Sequence, residues 1–193
     1  MTSNARICVF CGSRIGRDPR CAEAARALGE AIARLDCDLV FGGGNGGLMG
    51  IVSQTALSGG ARVTGIIPNF LFEREPPADN LTELITVEDF SSRKRLMMER
   101  ADAFVVPPGG IGTLEEAFEV LTNLSIGRLQ KPIGFLDLDG YYRPLLAFLK
   151  KSAEAGFVDP SLFFRVVLAP RPEELLSGLL ARLSHEAPAK TRS

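Results

Sequence analysis

A glycine-rich stretch between a strand and a helix is the part of this sequence best suited to chemistry. It runs from Pro107 to Glu116 as PPGGIGTLEE, after an apolar strand at Ala103–Val106 and before residues 117–124, whose apolar spacing predicts a helix. Such a turn leaves backbone N–H groups unpaired at a helix N-terminus, where the helix dipole also favours an anion. We therefore expect a phosphate site, with Thr113 as the N-cap and Glu116 at N3 of a capping box. The alternative is a tight turn and a capped helix without a ligand.

A basic segment precedes that turn. Residues 89–95 read DFSSRKR, which places Arg93, Lys94 and Arg95 side by side in a helix predicted over residues 91–101. Taken alone, such a run is most often a solvated helix face. A role in anion binding therefore needs support from elsewhere in the chain.

Another glycine-rich segment matches the fingerprint of dinucleotide-binding proteins. Gly42, Gly44 and Gly47 spell GxGxxG after a strand predicted at residues 39–41 and before a helix. That fingerprint normally follows the first strand, and an acidic residue follows about 20 positions later. Here it follows the second strand, and Arg62 holds the corresponding position, where it could accept the extra phosphate of NADP. An NADP-dependent dehydrogenase stays open as an alternative.

Strands and helices alternate along the sequence. Apolar runs predict strands at residues 6–10, 39–41, 62–67, 84–87, 103–106, 132–136 and 166–169. Short connections between alternating elements imply parallel strands with right-handed crossovers, so we predict an α/β fold, a Rossmann-like doubly wound parallel sheet with helices on both faces. Ligands bind such sheets beyond the carboxyl ends of the strands, where we expect the glycine turns at Gly12, 42–47 and 109–112 to converge.

The length and the remaining segments predict the domain organisation. A chain of 193 residues is large enough for one sizeable core, and we predict a single nucleotide-binding domain over residues 1–186. Residues 69–82 combine proline and charge without a period, which predicts a long loop able to fold over a site. Residues 187–193 are polar and lack a pattern, so we predict a mobile tail.

Composition restricts the partners and the compartment. The chain carries 22 Lys and Arg against 23 Asp and Glu, a net charge of −1 that disfavours nucleic acid as a partner. No apolar run approaches the roughly 18 residues of a membrane span, and the first residues lack the order of a signal peptide, so we expect a cytoplasmic protein without a membrane partner. The cysteines do not form two pairs at zinc-ligand spacing, and we expect reduced, mostly buried thiols.

Residues 108–116 also match a more specific pattern. Their string, PGGxGTxxE, is similar to the signature of the LONELY GUY (LOG) family, the cytokinin-activating phosphoribohydrolases once mislabelled as lysine decarboxylases. Four other segments carry the same resemblance: VFCGS at residues 9–13, GGGNGGLMG at 42–50, RKxxM at 93–97 and LDLDGYY at 136–142. Two places depart from the family pattern. Ser91 stands where the family has histidine, and residues 123–125 replace a segment that contains tryptophan.

The resemblance implies hydrolysis of the N-glycosidic bond of N6-substituted adenosine 5'-monophosphates, which are cytokinin nucleotides, or of AMP, to free base and ribose 5-phosphate. It implies Arg93 and Glu116 as the catalytic pair. The substrate-binding residues that it implies are Glu75, Arg93, Lys94, Gly109, Gly110, Ile111, Gly112, Thr113, Leu114, Glu115, Glu116 and Thr122. Glu116 could stabilise the positive charge that develops on the ribose or orient water, and Arg93 could bind the phosphate or polarise the base. The resemblance further implies a homodimer that needs neither a metal nor a cofactor.

Two other classes of function stay open. A non-catalytic carrier of a nucleotide or of molybdenum cofactor on the same fold would bind without turnover, and the dehydrogenase would bind nicotinamide. Lysine decarboxylation requires a lysine that forms a Schiff base with pyridoxal phosphate. Only Lys94 lies in the expected site, where an anion engages it, and we set that activity aside. The departures at Ser91 and residues 123–125 leave the choice between a prenylated nucleotide and AMP open.

Overall fold

The computed structural model describes residues 4–186, and the tail predicted at residues 187–193 lies outside the described residues. Strands and helices alternate, except between the third and fourth strands. The strands are β1 (Arg6–Val9), β2 (Asp38–Phe41), β3 (Val63–Pro68), β4 (Glu83–Val87), β5 (Ala103–Val106), β6 (Ile133–Leu136) and β7 (Val166–Ala169). The α-helices are α1 (Pro19–Arg34), α2 (Gly47–Ser58), α3 (Phe90–Arg100), α4 (Ile111–Ser125), α5 (Arg143–Glu154) and α6 (Pro172–Glu186).

The seven strands form one parallel sheet in the order β4-β3-β2-β1-β5-β6-β7. The direction of winding reverses at β1, where Ile7 pairs with Leu39 of β2 on one side and with Ala103 of β5 on the other. The predicted doubly wound parallel sheet is therefore confirmed. A sheet of this order opens a crevice at the carboxyl ends of β1 and β5, since the connections leave those two strands in opposite directions.

Helices cover both faces of the sheet. Successive residues of a strand point to opposite faces. Ile7 accordingly packs in the core beneath α1, α2 and α6 with Leu28, whereas Cys8 packs beneath α3, α4 and α5 with Met97 and Val120. Burial of the central strands from both sides explains their near-continuous apolar sequence.

Two helices begin at aspartate caps. The side chain of Asp18 accepts a hydrogen bond from the Arg20 N–H at 3.0 Å, and Pro19 occupies the first turn of α1. The side chain of Asp89 accepts from the Ser92 N–H at 2.7 Å, and this cap fixes the start of α3.

The start of α4 corrects one prediction. The helix begins at Ile111 with Gly110 as the N-cap, so the prediction of Thr113 as N-cap and Glu116 at N3 is wrong. Thr113 is instead buried in the first turn, because Gly109 has no side chain to exclude it. A Cβ on Gly109 would lie 2.3 Å from the Thr113 hydroxyl oxygen.

The long loop at residues 69–82 lies against the carboxyl edge of the sheet. It starts with one 3-10 turn at Asn69–Leu71. Two backbone bonds then join it to the glycine turn after β2: the Asn45 N–H donates to Pro76 O at 2.9 Å, and the Ala78 N–H donates to Gly43 O at 2.8 Å. The loop is thereby held over the end of the crevice.

Two further observations concern the helices and the cysteines. Within residues 4–186, no helix combines the length and the apolar character needed to cross a membrane. Cys8, Cys11 and Cys37 are buried and Cys21 is half-buried, and all four are free thiols.

Candidate functional site

A cleft of about 1030 Å³ lies at the carboxyl edge of the sheet, where the winding reverses. Its walls include Gly12 after β1, Gly42 after β2 and Gly109 to Gly112 after β5. The prediction that three glycine turns converge on one crevice is confirmed. The volume is at the upper end of the range of about 300–1,000 Å³ found for small-molecule sites.

The N-terminus of α4 faces this cleft with unpaired backbone donors. Residues 110–113 line the cleft, and their N–H groups make no hydrogen bond to any other residue between 4 and 186. A Cβ on Gly110 or Gly112 would meet open space. An anion can therefore approach the backbone closely, where both the free donors and the helix dipole favour it.

The glycine turn between β2 and α2 packs against the turn that follows β1. The Leu48 N–H at the start of α2 donates to Gly12 O at 3.0 Å. Gly47 has a φ of +60°, and a Cβ there would lie 2.2 Å from the backbone carbon of Ser13. Gly47 is therefore needed for close packing between the turns after β1 and β2. Packing within the protein thus accounts for the last glycine of the GxGxxG match without a dinucleotide.

Arg93 is a buried cation fixed by backbone carbonyls. Its Nε donates to Ile66 O at 3.0 Å and its Nη2 donates to Gly42 O at 2.7 Å. A Cβ on Gly42 would lie 1.9 Å from that Nη2, so the turn must carry glycine here to admit the guanidinium. Because one acceptor in β3 and one in the turn after β2 hold it, Arg93 presents its charge to the cleft in one orientation.

Glu116 lies in the second turn of α4 and lines the same cleft. Burial raises the pKa of its carboxyl group to about 7. The charges of Arg93 and Lys94 lower this pKa, and those of Glu115 and Glu75 raise it, but burial is the largest effect. A carboxyl group that titrates near neutrality can accept or donate a proton at physiological pH.

Lys94 joins α3 to α4 through two carboxylates. Its Nζ pairs with Glu115 and lies 2.5 Å from an oxygen of Glu119, and only 14% of its side chain is exposed. Burial lowers the pKa of Lys94, but the two carboxylates together outweigh it, so the pKa is raised and the amine stays charged. The pairing also fixes the relative position of the neighbouring Arg93 and Glu116, one on each helix.

The structure brings most of the predicted site residues to one place. The residues of that set that line the cleft are Glu75, Arg93, Lys94, Gly109, Gly110, Ile111, Gly112, Thr113, Glu115 and Glu116. Leu114 instead packs against the core beneath α4. Thr122 lies about three turns along α4, where its hydroxyl donates to Phe118 O at 2.7 Å. Substrate contacts stay predictions for the whole set, and the structure places Leu114 and Thr122 outside the lining of the cleft.

Other residues of the cleft were not predicted. Leu71, Met49 and Phe90 supply apolar wall, and Tyr141 lines the cleft beside the turn before α4. The Tyr141 hydroxyl donates to Gly109 O at 2.8 Å. Its position just beyond β6, in the LDLDGYY segment, was the signal that could have identified it, since strand ends meet at this edge.

Cys11 also lines the cleft, but its chemistry is limited. Burial raises the pKa of its thiol far above the ordinary value, and burial likewise raises the pKa of Cys8. Both side chains therefore stay neutral, and a neutral thiol is a poor nucleophile.

Comparison with known proteins identifies relatives of the chain. The sequence model of a family described as "Possible lysine decarboxylase" matches residues 49–179. A probable cytokinin riboside 5'-monophosphate phosphoribohydrolase of Oryza sativa subsp. japonica is 46% identical over 174 residues, which are 90% of this chain and 71% of that protein. A cytokinin riboside 5'-monophosphate phosphoribohydrolase of Arabidopsis thaliana is 46% identical over 90% of this chain and 80% of that protein.

Solved structures show the same fold at low sequence identity. The molybdenum cofactor carrier protein of Chlamydomonas reinhardtii has a TM-score of 0.72 at 20% identity, covering 94% of this chain and 99% of that one. The molybdenum cofactor binding protein of Rippkaea orientalis has a TM-score of 0.69 at 24% identity, covering 94% and 98%. These similarities extend to the fold alone. The match to the family model and the identity with plant enzymes over most of the chain show that this protein belongs to the LOG family, whose model is described as a possible lysine decarboxylase.

Proposed function

We propose that this protein hydrolyses the N-glycosidic bond of N6-substituted adenosine 5'-monophosphates, which releases the free base and ribose 5-phosphate. One observation carries the proposal: the open N-terminus of α4 and the near-neutral carboxyl group of Glu116 face the same cleft. The names of the related plant enzymes agree with this reaction.

The backbone donors of residues 110–113 bind the 5'-phosphate in the proposed complex. Phosphate binding at a helix N-terminus holds the ribose at a fixed distance from the second turn of α4, where Glu116 lies. Binding energy from the phosphate, which does not react, thus positions the bond that breaks.

Glu116 acts on the sugar in this mechanism. Departure of the base builds positive charge on the ribose, and the ionised carboxylate stabilises that charge or takes a proton from the attacking water. Arg93 keeps a positive charge at the same wall and lowers the pKa of Glu116, which preserves a usable fraction of carboxylate near pH 7. Its rigid attachment to Ile66 and Gly42 suits the binding of phosphate or the polarisation of the departing base.

Lys94, Glu115 and Glu75 form the charged part of the proposed substrate site. Lys94 meets two carboxylates in the structure, so an incoming phosphate competes with Glu115 and Glu119 for it. Glu75 reaches the cleft from the loop at residues 69–82. The apolar side chains of Leu71 and Phe90 suit the base and its N6 substituent.

We also propose a cytoplasmic homodimer. Apolar side chains on α3, α4 and the nearby loop are exposed, among them Ile111 at 83%, and Phe70 packs edge to face on Phe90 at the surface. A second copy would cover this surface next to the cleft.

The cytoplasm keeps thiols reduced, which agrees with the four free cysteines.

The experiment is incubation of the purified protein with AMP and with isopentenyladenosine monophosphate, followed by chromatography for free base and ribose 5-phosphate. We expect base release from at least one nucleotide and release at least about a hundredfold slower from the Glu116→Gln variant. Binding of both nucleotides without turnover would replace the proposal with the carrier alternative. Release from only one of them would identify the preferred substrate.

A further inference from the structure

Two adjacent tyrosines hold the turn that precedes α4. The Tyr141 hydroxyl donates to Gly109 O at 2.8 Å, and the Tyr142 hydroxyl donates to Pro107 O at 2.7 Å. The two rings pack edge to face with centroids 5.0 Å apart. Tyr142 is buried, and its N–H donates to the buried Asp137 at 2.8 Å, so the loop after β6 provides a fixed support.

The two hydrogen bonds differ in the residue that comes after each carbonyl. In a trans peptide the carbonyl and the next N–H point in opposite directions. The carbonyl of Gly109 precedes the N–H of Gly110, which lines the cleft and is unpaired within residues 4–186. The carbonyl of Pro107 precedes Pro108, which has no N–H. Only the bond from Tyr141 can therefore aim a donor at a ligand.

The peptide between Gly109 and Gly110 needs such a constraint. Neither flanking residue has a Cβ, and a peptide between two glycines rotates with little steric resistance. A Cβ at Gly110 would meet nothing within 4 Å, so packing does not fix that side of the peptide. Tyr141 supplies the missing constraint from outside the turn, and its half-exposed ring keeps it at the wall of the cleft.

We propose that Tyr141 is a positioning residue for the anion site. Its hydroxyl holds the Gly109 carbonyl away from the cleft and thereby directs the Gly110 N–H towards the 5'-phosphate. The inference rests on the proposed function, which assigns the phosphate to the N-terminus of α4. Tyr141 acts through the turn and takes no part in bond cleavage.

The test compares two Tyr→Phe variants, each of which loses one hydroxyl group. Ribose 5-phosphate is titrated calorimetrically into the wild type, Tyr141→Phe and Tyr142→Phe. Tyr141→Phe is expected to weaken binding by about tenfold, the upper range for one hydrogen bond, and to raise KM for the nucleotide with kcat little changed. Tyr142→Phe is expected to keep the affinity and to lower the Tm by about 3 °C, because a buried carbonyl loses its donor.

Two results would overturn this role of Tyr141. One is equal affinity of Tyr141→Phe and wild type for ribose 5-phosphate, including the case in which neither binds it. The other is an equal loss of affinity in Tyr142→Phe. That result would show that anion binding depends on general support of the turn and not on the direction of the Gly110 N–H. Failure of the proposed function would be seen in a different measurement, the hydrolysis assay, in which the wild type would release no base from nucleotides. The titrations decide the role of Tyr141 in either case.

Discussion

Replacement of Glu116 by glutamine is expected to stabilise the protein at alkaline pH while it strongly reduces activity. Burial raises the pKa of this carboxyl from 4.5 to about 7. The folded state therefore keeps the proton to higher pH than the unfolded state does, and the free energy of unfolding falls as pH rises from about 4.5 to about 7. Glutamine resembles the protonated acid in size and stays neutral, so the variant avoids this loss.

The magnitude is set by the change in pKa. At about 1.36 kcal/mol per pKa unit, the ionised carboxylate costs roughly 3 kcal/mol at pH 8 and under 1 kcal/mol at pH 5. For a chain of this length, Glu116→Gln should raise the Tm by about 8 °C at pH 8 and by about 2 °C at pH 5. Hydrolysis should fall at least about a hundredfold, the usual scale for a positioned acid or base.

Thermal unfolding of wild type and variant from pH 5 to pH 8 measures this difference. The matched control is Glu115→Gln, one residue away on α4, which removes a more exposed carboxylate paired with Lys94 and should give no gain in Tm at pH 8. A Tm difference for Glu116→Gln that does not grow with pH would refute the argument from burial. The expected outcome would identify Glu116 as a residue retained at a cost in stability, as is common in active sites.

The contacts of Arg93 and of the glycine turns lead to two more predictions. Arg93→Ala removes the side-chain donors to the carbonyls of Ile66 and Gly42 and should cost about 2–5 kcal/mol in denaturant unfolding, whereas Arg93→Lys should cost less. Both variants should reduce hydrolysis at least about a hundredfold. Near wild-type rates in Arg93→Lys would remove the guanidinium from the mechanism. Gly47→Ala should lower the free energy of unfolding by more than about 2 kcal/mol because of the φ of +60° at Gly47 and its contact with Ser13. Gly112→Ala, at a position with open space around it, should keep the stability and weaken nucleotide binding. Equal unfolding free energies for the two variants would contradict this.

Local patterns were sufficient to predict the architecture and the place of the site. The alternation of apolar runs and helical periods led to the parallel sheet, because each pattern reflects the faces that a strand or helix must bury. The glycine turn after β5 indicated the proposed anion site for a similar reason, since a turn at that edge exposes backbone donors. The start of α4 was mispredicted because capping-box spacing also occurs inside a helix, and only packing against Gly109 places Thr113 there.

The sequence by itself determined the order of the elements, the edge that carries the glycine turns and the family resemblance, since all three depend on residues close together along the chain. Only the tertiary structure decided the state of the charged groups. Arg93 receives its orientation from carbonyls 27 and 51 residues away, and Tyr141 reaches a carbonyl 32 residues away. The pKa of Glu116 likewise depends on how much protein surrounds its carboxyl group. Such contacts and such desolvation arise when the sheet forms, and no spacing of residue types specifies them beforehand.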